Sequence, residues 1–235
     1  MKTLAIDTSN QTMGVALADN GVVLGEIVTH LKKNHSVRLM PAVDTVLKET
    51  GVMPAQLERI AVAEGPGSYT GVRIGVTVAK TFAWALGIPL VGVSSLEVLA
   101  QNGQRFGGYV SPLFDARRGQ VYTGLYANEN GRFGNVKLDR ITLLSDWLDL
   151  LESEREPVLF VGHDLAKHAE EIADRLGSLA VFARSGEQAP RPGELAILGE
   201  QRAAEESAHR FVPEYRQLAE AESKWLAAQE QKKHG

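Results

Sequence analysis

The order of segments along the chain predicts an α/β fold of two tandem RNase H-like domains, each a mixed sheet with flanking helices. Three observations carry this. Three short apolar runs of strand character precede any helix-period pattern. A helix, a strand, a second helix and a second strand then follow. From about residue 105 the same order returns more faintly.

Leu4-Ala5-Ile6-Asp7 reads as a short buried strand, and Met13 to Leu17 and Val22 to Val28 as the next two. Asp19-Asn20-Gly21 separates the latter pair, and Asn-Gly between two β-rich runs is a strong hairpin signal because both turn positions need positive φ. A helix is expected from about Ser36 to Thr50, with Ser36 as N-cap and Gly51 as its stop. Leu39, Val43, Val46 and Leu47 share one face, and Pro41 falls near the first turn, where proline is tolerated. Arg59 to Ala63 is the fourth strand. A glycine-rich loop leads into a helix from about Thr70 to Leu86, closed by Gly87. Leu90 to Val93 is the fifth strand, and Ser94 or Ser95 caps a short helix through Ala100. The polar, glycine-rich stretch from Gln101 to Gly108 marks a boundary and sets a first domain at 1–104.

In the second half Val110 to Phe114, Val121 to Ala127 and Arg132 to Ile141 read as strands, the last two joined by Asn128-Glu129-Asn130-Gly131. A helix near Ser145 to Leu151, a strand at Val158 to Val161, a helix from Leu165 to Leu176 and a strand at Leu179 to Phe182 complete a second domain at 105–212. From about Gly193 the chain is helical and charged, with a break near Pro213 and a tail at 213–235. Two tandem copies of this plan make the actin-like ATPase architecture. The duplication is visible in element order only, with no residue-level repeat.

Composition narrows the function. The chain has 235 residues, a net charge of −4 and 44% hydrophobic residues. It contains no cysteine, which excludes a disulfide scaffold, a Cys-ligated metal and a thiol nucleophile. That absence suits a reducing compartment, and a cytoplasmic location is expected. Asp7 interrupts the first apolar run too early for a signal-peptide core. The most apolar stretch, Ile74 to Val93, contains Lys80, Pro89, threonines and glycines, and reads as a buried helix and strand rather than a membrane span. Basic clusters are short: Lys32-Lys33, Arg117-Arg118 and Lys232-Lys233-His234. Phosphate-backbone binding needs more clustered charge. The chain alone is therefore expected to bind RNA weakly, with Arg117 and Arg118 as the RNA or partner contact.

Four constellations bear on chemistry. Asp7-Thr8-Ser9 turns out of the first strand, where actin-like ATPases and sugar kinases read Asp-x-Gly-Thr and cradle a phosphate. The glycine is missing here, so the turn is either a degenerate phosphate contact or an ordinary Asp turn. Gly65-Pro66-Gly67-Ser68-Tyr69-Thr70-Gly71 joins a strand to a helix amino end. It offers either an anion site or a tight turn capped by Ser68 or Thr70. It is neither a Walker A loop nor a dinucleotide fingerprint. In the following helix Gly71, Gly75, Ala79 and Ala83 recur every four residues, a groove into which a backbone from this chain or from a partner can fit. The histidines do not assemble by spacing: His163 and His168 point apart on a helix. No Gly-x-Ser-x-Gly elbow or His-Glu-x-x-His motif occurs, and no cofactor or metal site is expected.

At Gly65-Pro66-Gly67-Ser68-Tyr69-Thr70-Gly71-Val72-Arg73-Ile74-Gly75 the chain resembles the TsaB (YeaZ) family. Leu4 to Ser9, Val93-Ser94-Ser95-Leu96, Asp115 to Tyr122 and Val212-Pro213-Glu214-Tyr215-Arg216 also fit, so the motifs span nearly the whole chain. The resemblance implies a role in bacterial tRNA modification. In that setting a TsaB-like chain pairs with a TsaD-like catalytic subunit and a TsaE-like ATPase. The complex moves threonylcarbamoyl from an adenylate to N6 of the adenosine beside the anticodon. TsaD-like chains read Val-Asn-His-x-x-x-His after the equivalent loop and helix, and those histidines bind metal. Here Ser95 and Leu99 occupy the two positions, and leucine cannot ligate a metal. Catalysis is therefore expected from the partner. The resemblance also points to the first two helices as the partner surface, through Leu39, Met40, Val43, Gly71, Val72, Gly75, Val76 and Ala79. A weak homodimer is expected of the chain alone. Competing readings are a stand-alone actin-like ATPase or kinase and a glycoprotease-like peptidase. The missing glycine after Asp7 counts against the first, and the missing metal ligands and nucleophile against the second.

Overall fold

The computed structural model describes residues 1–31, 34–203 and 211–212. The first unit runs β1 (Lys2–Asp7), β2 (Met13–Asp19), β3 (Val22–Thr29), α1 (His35–Thr50), β4 (Arg59–Gly65), α2 (Tyr69–Leu86), β5 (Leu90–Ser94) and α3 (Ser95–Ala100). The second runs β6 (Tyr109–Arg117), β7 (Gln120–Glu129), β8 (Arg132–Leu143), α4 (Leu144–Glu154), β9 (Val158–Val161), α5 (Ala169–Leu176) and β10 (Ala180–Phe182), and α6 (Pro192–Gln201) follows. The sheets have the orders β3-β2-β1-β4-β5 and β10-β9-β6-β7-β8, the same plan twice. In each, the first strand pairs antiparallel with the second and parallel with the fourth. This is the expected pair of RNase H-like mixed sheets.

Period-two alternation explains the first sheet. Leu4, Ile6, Ile60 and Val62 point to the face covered by α1 and α2. Ala5, Ala16, Ala61 and Ala63 point to the other face, with Leu195 and Ala196 of α6. The alanine face lets α6 lie close: a Cβ on Gly199 would stand 2.5 Å from that of Ala61. The Arg59 guanidinium donates to the carbonyls of Gly199 (2.6 Å) and Arg202 (2.7 Å), satisfying the carboxyl end of α6. Glu26 of β3 ion-pairs with Arg191 and accepts from the Gly193 N–H at the amino end. So α6, from the 105–212 stretch, packs on the first sheet. The buried helix α3 also spans both units. Leu96, Leu99 and Ala100 join the cluster of Val110 and Tyr126, while Val98 packs with Ala5 and Val91.

Several local expectations change. Helix α1 starts at His35, so Ser36 is not its N-cap; Ser36 donates to Asn34 (2.6 Å), which occupies the cap position without bonding a helix N–H. Pro41 accordingly sits in the second turn. The expected helix from Leu165 divides into a 3-10 turn at His163–Lys167 and α5, broken at His168 with φ −121. Gly51 and Gly87 stop their helices in left-handed geometry, and Ser68 and Ser94 cap α2 and α3, as expected. Lys32-Lys33, the tail at 213–235 and Lys232-Lys233-His234 lie outside the described residues. Among those described, no helix is long and apolar enough to cross a membrane.

The small-residue stripe of α2 faces inward. A Cβ on Gly71 would stand 2.2 Å from the Thr8 carbonyl oxygen, and one on Gly75 would stand 2.6 Å from Thr8 Oγ1. The backbone that needs the groove is the chain's own first turn. Gly75→Leu should therefore overpack the core and destabilise the fold by ~3 kcal/mol, with Gly75→Ala near the lower end of the ~1–3 kcal/mol range. Urea denaturation midpoints at unchanged m-value test this. A Gly75→Leu midpoint equal to wild type would mean the stripe does not bear on the core.

Candidate functional site

Asp7 ends β1, and the turn after it meets the glycine loop. Asp7 Oδ1 accepts from the Ser9 N–H (2.8 Å) and the Ser9 hydroxyl (2.7 Å). The Thr8 hydroxyl donates to the Gly71 carbonyl (2.7 Å), and the Ser68 N–H donates to the Ser9 carbonyl (2.6 Å). Asp7, Thr8 and Ser9 are at most 2% exposed. Gly67 is required by contact, since its Cβ would stand 2.1 Å from the Ser9 carbonyl oxygen. The hydroxyls and the Ser9 amide that would cradle a phosphate are thus bonded inside the chain. The glycine loop is a tight strand-to-helix turn, with Ser68 accepting from the Gly71 N–H (3.3 Å). Burial raises the Asp7 pKa, and the two bonds from Ser9 and the charge of His35 oppose it. Its second oxygen is buried and has no hydrogen-bond partner among the described residues.

The two units touch at a histidine pair that sequence spacing does not reveal. His163, at the end of β9, brings Nε2 to 2.8 Å from the Thr12 hydroxyl. His30, after β3, places Nδ1 3.4 Å from the same hydroxyl. The two rings meet edge to face at 5.2 Å. Burial lowers the His163 pKa and His30 lowers it further, against Asp164. Beside them Lys167 bridges Asp115 (2.7 Å) and Asp164 (2.8 Å), and the Arg117 N–H donates to Asp115 (3.0 Å). Burial alone would raise the Asp115 pKa; the Lys167 and Arg117 bonds outweigh it, and the net shift is downward. Among the described residues, no group of three His, Asp or Glu side chains could hold a metal. Ser95 and Leu99 are fully buried in α3.

The expected partner surface needs correction. Leu39, Val43, Val72, Val76, Ala79, Gly71 and Gly75 are all buried against the first sheet. Apolar stripes on α1 and α2 cover their own domain first, because that sheet has no other cover on this face. Of the eight residues only Met40 is outward, at 46% exposed. The outward faces carry Val37 (68% exposed), Tyr69 (42%) and Trp84 (67%). Arg73 donates to the Tyr69 hydroxyl (2.8 Å) and lies 5.2 Å over its ring. Val37 was legible as apolar but out of phase with Leu39 and Val43, and that phase is the signal for an outward apolar residue. Arg117 and Arg118 are exposed at the β6–β7 tip.

A family model described as TsaD, tRNA N6-adenosine threonylcarbamoyltransferase, matches residues 22–225. The chain is 53% identical over 229 residues to the tRNA threonylcarbamoyladenosine biosynthesis protein TsaB of Bacillus subtilis (strain 168), covering 97% of this chain and 100% of that one. It is 37% identical over 134 residues to the protein of that name from Escherichia coli (strain K12), covering 56% and 58% of the two chains. Among solved structures it superposes on YeaZ from Pseudomonas aeruginosa with a TM-score of 0.74 and 28% identity, covering 91% of this chain and 99% of that one. A ROK hexokinase from Thermus thermophilus matches in fold alone, with a TM-score of 0.51 and 13% identity over 86% of this chain and 98% of that one.

The raised Asp7 pKa sets a pH dependence. Between the unfolded and folded values the native chain keeps a proton that the unfolded chain has released. The resulting stability is full below the unfolded pKa and is lost as pH rises through the folded pKa. Asp7→Asn removes this contribution. As pH rises above about 4, the usual Asp value, the variant should therefore gain stability relative to wild type until the folded Asp7 has itself ionised. Denaturation midpoints of both proteins across that range give the difference directly, and a difference that stays flat would show that Asp7 ionises as freely folded as unfolded.

Proposed function

The chain belongs to the TsaB family of tRNA threonylcarbamoyladenosine biosynthesis proteins, and on that premise we propose that it is a non-catalytic subunit of the threonylcarbamoyl-transfer complex. In this reading a TsaD-like subunit carries the transfer chemistry and a TsaE-like ATPase completes the assembly. The observation that carries the reading is the first turn. Asp7, Thr8 and Ser9 stand where an actin-like kinase would hold phosphate, yet both hydroxyls, the Ser9 amide and one Asp7 oxygen are bonded to one another or to Gly71, and the Ser9 carbonyl to Ser68. Opening that turn for a nucleotide would break three buried hydrogen bonds, each with a desolvation cost of about 1–3 kcal/mol, together with the Ser68 N–H bond to Ser9. Support also comes from α3, where Ser95 and Leu99 fill the core at the positions of the paralogue's metal-binding histidines.

A subunit without its own chemistry acts through its surface. The outward faces of α1 and α2 carry exposed apolar side chains, Val37 and Met40 on α1 and Tyr69 on α2, the last beside the Arg73 guanidinium. Aromatic, Met and Arg side chains are enriched at interface cores. We place the TsaD-like partner there, with a weak homodimer through the same face when the partner is absent.

Replacing Val37 and Met40 together by Asp should weaken co-elution with a TsaD-like subunit by at least about tenfold, roughly 1.4 kcal/mol. Both residues are exposed, so the thermal midpoint should stay near wild type. Threonylcarbamoyladenosine formation by the reconstituted complex should fall in proportion, and the isolated wild-type chain should not turn over ATP. Unchanged pairing by the double variant would move the interface off α1. ATP turnover by the pure chain, lost on Asp7→Ala, would overturn the non-catalytic reading.

A further inference from the structure

The two units meet over one buried hydroxyl. Thr12, between β1 and β2, is 1% exposed. His163 of the second unit brings Nε2 to 2.8 Å from its Oγ1, and His30 of the first brings Nδ1 to 3.4 Å. A hydroxyl has one proton to give and two lone pairs to accept with, and a neutral imidazole has one donor and one acceptor nitrogen. With both rings neutral the three groups satisfy one another: the hydroxyl donates to one ring and accepts from the other. A further proton on the accepting nitrogen ends this. Both rings then donate to the same oxygen, and the hydroxyl proton loses its acceptor. A buried polar group left unpaired is costly. The ring centroids are 5.2 Å apart, so protonation of both rings also brings like charges together.

Among the described residues, the titratable and charged groups on the elements packed about this contact are few. They are Asp7 at the end of β1, His35 at the start of α1, Asp115 and Arg117 at the end of β6, and Asp164, Lys167 and His168 in the segment after β9. Asp7 Oδ1 is taken by Ser9. Asp115 and Asp164 are bridged by Lys167 at 2.7 and 2.8 Å. His168 Nε2 lies 3.7 Å from Asp115, and the Arg117 N–H donates to the same carboxylate. His35 Nε2 meets the Asn10 carbonyl at 3.0 Å. Burial lowers the His163 pKa and His30 lowers it further, against Asp164. The contact is therefore complete above the ordinary histidine value of about 6.5, and it is lost as pH falls through the folded value.

We infer that Thr12, His30 and His163 form an acid-released latch between the two units, closed while both imidazoles are neutral and released by their protonation. The latch belongs to the isolated chain and needs no partner. It reaches the start of α1, because the Thr12 N–H donates to Asn10 Oδ1 (2.8 Å) and His35 rests on the Asn10 carbonyl. Release loosens that turn, with α3 and α6 still holding the sheets together.

Backbone amide exchange of the isolated chain, followed by NMR and corrected for the intrinsic pH dependence, tests the latch. The Thr12 and Leu165 N–H groups, bonded to Asn10 Oδ1 and the Gly162 carbonyl, report on its two sides. Below about pH 6.5 their protection should fall by up to about tenfold per pH unit, while Ile6 in the first sheet keeps its own. His30→Asn/His163→Gln sets uncharged amide groups near the two ring nitrogens and should hold protection level over the same range. Wild-type protection that stays constant from about pH 7.5 to 5.5 would overturn the latch. So would an equal loss in the double variant, which would put the sensitivity on Asp7 or Asp115. If the double variant is already unprotected at neutral pH, Thr12→Val decides. Loss of protection that no longer depends on pH supports the latch, and a pH dependence retained without the hydroxyl overturns it.

Discussion

The rest of the structure depends on the contact between the β1–β2 turn and the first turns of α2. Gly67, Gly71 and Gly75 each stand where a Cβ would fall within 2.6 Å of Thr8 or Ser9. No larger side chain lets the helix come so close to the strand end. That approach allows the Thr8 hydroxyl to reach the Gly71 carbonyl and the Ser68 N–H to reach the Ser9 carbonyl. It also sets the height at which Val72, Val76 and Ala79 meet Leu4 and Ile6. One constraint therefore seats α2 on the sheet and closes the turn. The glycine that a phosphate turn needs after its Asp is absent; glycines stand instead on the opposing loop and helix, where they serve packing.

The two units are held to each other at separate points. On one side α3 contributes to both cores, and Ser94, its cap, donates to Asp139 of β8, which also accepts from Tyr126 (2.6 Å). On the other side Thr12 meets His163 and His30. The crossing of α6 back to the first sheet adds a third tie, with Arg59 and Glu26 holding its two ends. Relative motion of the sheets would have to break part-buried polar contacts at separate points. Such contacts fix one arrangement rather than permit two.

How much of this the sequence reveals depends on range. The strands and hairpins were legible because Asn20-Gly21 and Asn130-Gly131 have a local backbone requirement that names its own turn. Gly51, Gly87, Ser68 and Ser94 were legible as helix ends for the same reason. The α2 stripe was seen but assigned to the wrong neighbour. Its spacing shows that a backbone approaches closely and cannot say whose, and Thr8 lies too far away in sequence to be matched with Gly75 by any local rule. The His30–His163 pair had no signal at all, since each histidine stands alone in its own segment. Arg117 and Arg118 were visible as charge. Their left-handed backbone exists only once β6 and β7 pair in register.

The corrected burial pattern changes where function is sought. Residues chosen for apolar periodicity are by construction those that face the chain's own sheet, because the same spacing builds the core. A surface that serves a partner must instead break that spacing. Val37 does so, two positions before Leu39 and off its face; so does Met40, one position after it. Tyr69 stands at the entry to α2, before the stripe begins. Exposed apolar residues of this kind are those the fold itself does not need. The core rules that predict the architecture are for that reason the wrong guide to the interface, and departures from them are the better one.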